Sequence, residues 1–90
     1  MHTARKYVVR GRVQGVGFRW FVENTANAIG VRGWTRNLDD GSVEVYSVGT
    51  EEQHGELAAL LWKGPSAARV EAVEELEAEL EKLSGFSIRH

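Results

Sequence analysis

The chain begins with an alternation. From Arg5 to Val13, Tyr7, Val9, Gly11 and Val13 fall on one parity and Val8, Arg10 and Arg12 on the other, a period of two that predicts a strand with one wetter face. At Phe18 the period lengthens. Phe18, Phe21, Val22, Thr25, Ala26 and Ile29 recur at the spacing of a helix with one buried face, and Gly30 stands where a C-terminal cap belongs, so the pattern predicts a helix over residues 18–29. Two runs rich in β-branched and aromatic residues, Val31–Leu38 and Ser42–Val48, flank Asp39-Asp40-Gly41 and predict an antiparallel hairpin. Thr50-Glu51-Glu52-Gln53 then has the form of a capping box, Leu57, Leu60 and Leu61 mark one helical face, and Gly64-Pro65 stops the chain, which gives a second helix over 51–63. Gly55 weakens that helix by about 1 kcal/mol relative to alanine. The tail from Ala67 to Leu83, dense in Glu, Ala and Leu, reads as helix on propensity alone.

Length and composition narrow the setting. Ninety residues suit one compact domain, residues 1–90, burying about 60–65% of the unfolded chain's surface. Hydrophobic residues make up 42% of the chain, yet no apolar run approaches the roughly 20 residues of a membrane span. There is no apolar signal-peptide core and no cysteine, which excludes disulfides, thiolate chemistry and cysteine-based metal sites and leads us to expect a cytoplasmic protein. Net charge is −2, unevenly split: residues 1–45 hold seven Lys/Arg against four Asp/Glu, and residues 46–90 hold four against nine. The basic half would steer a small anion. An excess of three is too small for a nucleic-acid footprint, and no RNP string accompanies Tyr7, Trp34 and Tyr46. The acidic stretch of the tail reads as solvated surface.

The junction between the first strand and first helix carries the candidate chemistry. Gly11 to Arg19 reads Gly-Arg-Val-Gln-Gly-Val-Gly-Phe-Arg. Gly15 and Gly17 allow turned conformations that aim successive amide N–H groups inward, the following helix adds its unpaired N–H groups and positive dipole end, and Arg19 adds a planar fork of donors. Such a loop can hold a phosphate; the plainer reading is a tight turn with a surface arginine. Phe18, Arg19 and Trp20 follow where a third glycine or Gly-Lys-Ser/Thr would have to stand, so neither a dinucleotide nor a nucleoside triphosphate loop is present.

The same string resembles the first acylphosphatase signature, Gly-x-Val-Gln-Gly-Val-x-Phe-Arg, through Gly11, Val13, Gln14, Gly15, Val16, Phe18 and Arg19. Gly33-Trp34-Thr35-Arg36-Asn37-Leu38-Asp39-Asp40-Gly41-Ser42-Val43-Glu44 resembles the second, Gly-Trp-x-x-Asn-x-x-Asp-Gly-x-Val-Glu, with each defined position filled. The resemblance covers essentially the whole chain. It implies an α+β, ferredoxin-like βαββαβ sandwich: an antiparallel sheet, two helices on one face and a short extra C-terminal strand. It also implies that Ala68–Val73 is the fourth strand and Gly85–Arg89 the last, against the helical propensity of the tail, and leaves Glu77–Leu83 open as helical turn or loop.

What the resemblance implies chemically is an acylphosphatase, hydrolysing carboxyl–phosphate mixed anhydrides. The phosphoryl group would be bound by Arg19 and the loop amides of Gln14, Gly15, Val16, Gly17, Phe18 and Arg19, and the attacking water oriented by Asn37. The chemistry is consistent. A carboxylate leaving group has a pKa near ~4 and needs no general acid. Phosphoryl transfer is mostly positioning and charge stabilisation, so no metal or cofactor is expected. An amide is a poor base, which casts Asn37 as a positioner of water. Taken without its signature, Asn37 reads as a hydrogen-bonding residue at a strand end. Asp40 and Gly41 are assigned to the turn, and Trp20, Trp34 and Trp62 to packing or partly exposed cover. His2, His54 and His90 lack ligand spacing. The expected partners are a small acyl phosphate and inorganic phosphate, with no nucleic acid or membrane, and the expected state is a monomer. The alternatives are a non-enzymatic anion-binding module of the same fold and a piece serving a larger carbamoyl-transferring enzyme. The module reading predicts loss of Arg19 or Asn37, and both are present; the larger-enzyme reading expects a partner segment beyond His90.

Overall fold

The computed structural model describes residues 1–90. In chain order the elements are β1 (Thr3–Arg12), α1 (Phe18–Ile29), β2 (Arg32–Asn37), β3 (Val43–Gly49), α2 (Glu51–Lys63), β4 (Arg69–Glu77) and β5 (Phe86–Ile88). The strands form one sheet in the order β4-β1-β3-β2-β5, antiparallel except for the β2–β5 pair, which is parallel. This is the expected ferredoxin-like arrangement with a parallel edge strand added to it.

Both helices cover the same face. Phe18, Val22 and Ala26 of α1 and Leu57 and Leu61 of α2 meet Tyr7, Val9, Val43 and Val45 of the sheet in a single buried cluster. The period-two reading of β1 therefore identified the correct inner parity. Local signals also set the second helix: the Thr50 side chain accepts from the Gln53 amide at 3.1 Å while Gln53 Oε1 accepts from the Thr50 amide at 2.9 Å, a complete capping box.

The outer face is less wet than the alternation suggests. Trp34 stacks on Tyr46 with ring centroids 5.5 Å apart, and with Ala4 and Val48 they form a second buried cluster roofed by Ala78 and Leu83. Around it Glu44 pairs with Arg36 at 2.7 Å and Lys6 at 3.7 Å.

The helical propensity of Ala67–Leu83 loses. Residues 69–77 are an edge strand registered on β1 from Arg12↔Arg69 to Arg5↔Glu77, and residues 78–85 carry no helix. The edge of β1 would otherwise expose a row of unpaired backbone groups, and pairing it satisfies them while Arg5 and Arg10 reach Glu75 and Glu74 across the strands. Tyr46 then pins the segment that follows: its hydroxyl donates to the Glu79 carbonyl at 2.6 Å and accepts from the Glu81 amide at 2.8 Å. Those contacts hold residues 79–81 down on the outer cluster in place of a helical turn.

Buried His54 has a structural explanation. Its Nε2 lies 3.0 Å from the Thr3 carbonyl oxygen, which can only accept, so Nε2 carries the proton and Nδ1 accepts from the Ser47 hydroxyl at 2.9 Å. The residue ties α2 to β1 and β3.

Candidate active site

The loop between β1 and α1 turns on two glycines in the left-handed region, Gly15 at φ 73° and Gly17 at φ 76°. A Cβ at either would meet no atom within 4 Å, so the requirement for glycine there is conformational and the space in front of the loop is open. Gly17 is also the N-cap of α1 and offers no side chain to its first turn. Phe21 is the first helical residue whose N–H reaches back to a carbonyl, that of Gly17 at 3.0 Å, so the amides of Phe18, Arg19 and Trp20 and of the loop before them donate to nothing within the protein. Unpaired donors at a helix N-terminus, beside an arginine, form an electropositive cradle.

Phe18 points into the core and anchors the helix start, which leaves the half-buried Arg19 at the rim. Four of the seven cations in residues 1–45, Arg5, Lys6, Arg10 and Arg36, are engaged by carboxylates. Arg19 is not: its one side-chain contact is Nη1 to His90 Nδ1 at 3.5 Å. The charge available to an anion at this site is thus concentrated in one guanidinium, and the general excess of the basic half is largely spent on ion pairs.

Asn37 ends β2, exposed and facing the same space. A cavity of about 250 Å³ is lined by Gly15, Gly17, Phe18, Arg19 and Asn37 together with Trp20, Val13, Ile88 and His90. Gln14 and Val16 do not line it. The Gln14 side chain instead donates from Nε2 to the carbonyls of Leu38 and Ser42, both at 2.8 Å, and so ties the loop to the β2–β3 turn just beyond Asn37. That bridge sets the two signatures against each other in space.

The turn itself is closed by Asp40, which accepts from the Ser42 hydroxyl and from the Ser42 amide. These bonds, with Arg10 beside them, hold the Asp40 carboxyl below its ordinary range. A carboxylate whose folded pKa is depressed contributes stability above its unfolded value of 3.8 that is lost as pH falls through the folded one. The hairpin is therefore expected to loosen below about pH 4, and Asp40→Asn to flatten this part of the acid profile. Amide exchange of residues 38–43 across that range checks it; an Asp40→Asn profile that matches the parent contradicts it.

Trp20, read from the sequence as packing or partly exposed cover, and His90, read there as a histidine without ligand spacing, line the cavity, as does Ile88, which the sequence did not mark. Trp20 had one signal, its place directly after Arg19 in the first helical turn. Ile88 and His90 had none, because they arrive through the parallel pairing of β5: Ile88 registers on Thr35, the Arg89 amide donates to the Thr35 carbonyl at 2.8 Å, and the Arg89 guanidinium lies 4.6 Å over the Trp34 ring. His2 contacts Arg32 and His54 is buried elsewhere, so the three histidines do not gather.

Residues 5–88 match the family model described as acylphosphatase. The chain is 49% identical over 86 residues to an acylphosphatase of Solibacter usitatus (strain Ellin6076), covering 96% of this chain and 90% of that one. It is similar in structure to the crystal structure of acylphosphatase from Bacillus subtilis, with a TM-score of 0.94, 35% identity and full coverage of both chains. An acylphosphatase structure from Coxiella burnetii superposes with a TM-score of 0.93 at 36% identity, covering 98% of this chain and 93% of that one.

Proposed function

Because the chain belongs to the acylphosphatase family and hydrolyses acyl phosphates to a carboxylate and inorganic phosphate, we propose that Arg19 and the loop amides hold the phosphoryl group while Asn37 places the attacking water. The observation that carries this assignment is the convergence on one cavity of unpaired amides, an arginine with no carboxylate partner and the Asn37 side chain.

In this reading the phosphoryl oxygens sit in the cradle, the Arg19 fork takes two of them, and the Asn37 amide orients a water in line with the acyl oxygen. The water oxygen bonds to phosphorus as the bond from phosphorus to the acyl oxygen breaks. The electron pair of that bond leaves with the carboxylate, which at a pKa near ~4 needs no proton. The water's proton passes to a phosphoryl oxygen of the substrate, so no protein base is required. Negative charge grows on the departing acyl oxygen and rearranges over the phosphoryl oxygens, where preorganised donors stabilise it. The Gln14 side chain acts on none of these atoms; it keeps the loop and Asn37 in register.

Nothing in these steps calls for a metal or cofactor, so turnover of a synthetic aromatic acyl phosphate is expected to persist in a strong chelator, with inorganic phosphate a competitive inhibitor that weakens as salt is added. Activity lost to chelator and restored by a divalent ion would refute the metal-free route, and purely non-competitive inhibition would separate product binding from the cradle. Binding of phosphate without any turnover would favour the anion-binding module. No helix is long and apolar enough to cross a membrane. Action as a monomer on dissolved small molecules in the cytoplasm, without nucleic acid or membrane, belongs to the same proposal.

A further inference from the structure

The cavity is larger and more apolar than the phosphoryl group requires. At about 30 Å³ per water, a phosphoryl group has the bulk of roughly two or three waters, and the cavity of about 250 Å³ leaves most of its space to the rest of the substrate. The loop and Arg19 bring polar groups to the cavity from one side of the chain and Asn37 and His90 bring others, while Trp20 and Ile88 are among its apolar lining residues. Trp20 is 68% exposed and belongs to neither buried cluster, so packing does not account for it. Ile88 is half-buried at the end of β5, held there by the backbone bond from Arg89 to Thr35.

Resting on the hydrolytic reading of this site, we propose that Trp20 and Ile88 form the acyl subsite and that the chain favours acyl phosphates whose acyl group is aromatic or bulky and apolar. With the phosphoryl group held by Arg19 and the loop amides, the acyl end extends away from these donors. Trp20 follows Arg19 in the first turn of α1 and lines the same cavity, beside the residue that holds the phosphoryl group. An indole face offers a planar apolar surface against which an aromatic acyl group stacks and an acetyl group gains little. Because the wall is open to solvent on one side, it selects by attraction and does not exclude small substrates. The preference should therefore be graded.

The test is the ratio of kcat/KM for benzoyl phosphate to that for acetyl phosphate, with the competitive Ki of inorganic phosphate measured in parallel. Trp20→Ala is expected to lower that ratio about 5- to 10-fold, the factor that one aromatic contact supplies, and Trp20→Phe to restore most of it. A ratio unchanged in Trp20→Ala, or a loss of kcat/KM matched by an equal rise in phosphate Ki, overturns the acyl-subsite assignment while the hydrolytic reading stands. Failure of the parent protein to turn over either acyl phosphate would overturn both. Because Trp20 is largely exposed, the alanine variant is expected to fold, which circular dichroism verifies.

Discussion

Replacing Arg19 by alanine is expected to lower kcat/KM for an acyl phosphate by about 10³-fold and to raise the competitive Ki of inorganic phosphate at least about 10-fold. The two losses have one origin. A bidentate, charge-assisted contact of ~1.5–3 kcal/mol disappears from the bound ground state, and the stabilisation of charge developing in the transition state disappears with it. No carboxylate pairs with Arg19, so the substitution leaves no buried charge stranded, and the helix start remains anchored by Phe18. The protein should therefore fold. Arg19→Lys is expected to recover little, since a compact ammonium cannot reproduce two parallel donors in one plane. Steady-state kinetics on an acyl phosphate together with phosphate inhibition decides the matter. An Arg19→Ala enzyme within threefold of the parent in both quantities would remove the guanidinium from the mechanism.

The second large effect has a different signature. Asn37→Ala is expected to lower kcat by about 10²-fold or more while phosphate Ki changes little, because the amide is assigned to water and the phosphoryl group remains in the cradle. Asn37 is exposed at the end of β2 and its side chain makes no hydrogen bond within the protein, so its removal orphans no partner. The contrast between the variants is informative in itself: loss of binding with turnover marks Arg19, and loss of turnover alone marks Asn37. A near-normal kcat in Asn37→Ala would make the asparagine a strand-end residue and refute the water-positioning role. A large rise in phosphate Ki in the same variant would move Asn37 into the cradle.

The local part of this structure was legible in the sequence because short-range physics decides it. α1 and α2 occupy residues 18–29 and 51–63 as their periodicity predicts, and the capping box at Thr50 closes from residues three apart. Gly15 and Gly17 take positive φ because a loop that must turn sharply into a helix favours residues without a Cβ. The inner parity of β1 follows from the pleat. Both signatures could be read as strings, and their residues Gly15, Gly17, Phe18, Arg19 and Asn37 do share one cavity.

What the sequence could not decide were the features in which residues far apart complete one another. The propensity of Ala67–Leu83 favours helix by tenths of a kcal/mol per residue, whereas the unpaired edge of β1 offers a whole ladder of hydrogen bonds and two arginines to the glutamates of β4. The ladder wins, and a strand results. Gln14 carries no local mark of its bridge to the carbonyls of Leu38 and Ser42, 24 and 28 residues away. Ile88 and His90 reach the cavity only because β5 pairs in parallel with β2, a contact between segments some fifty residues apart that no periodicity encodes. Propensity and spacing act over a turn or a hairpin. The partner of a sheet edge and the far wall of a cavity are settled by which distant segment satisfies the exposed backbone and buries the remaining apolar surface, so they belong to the tertiary structure alone.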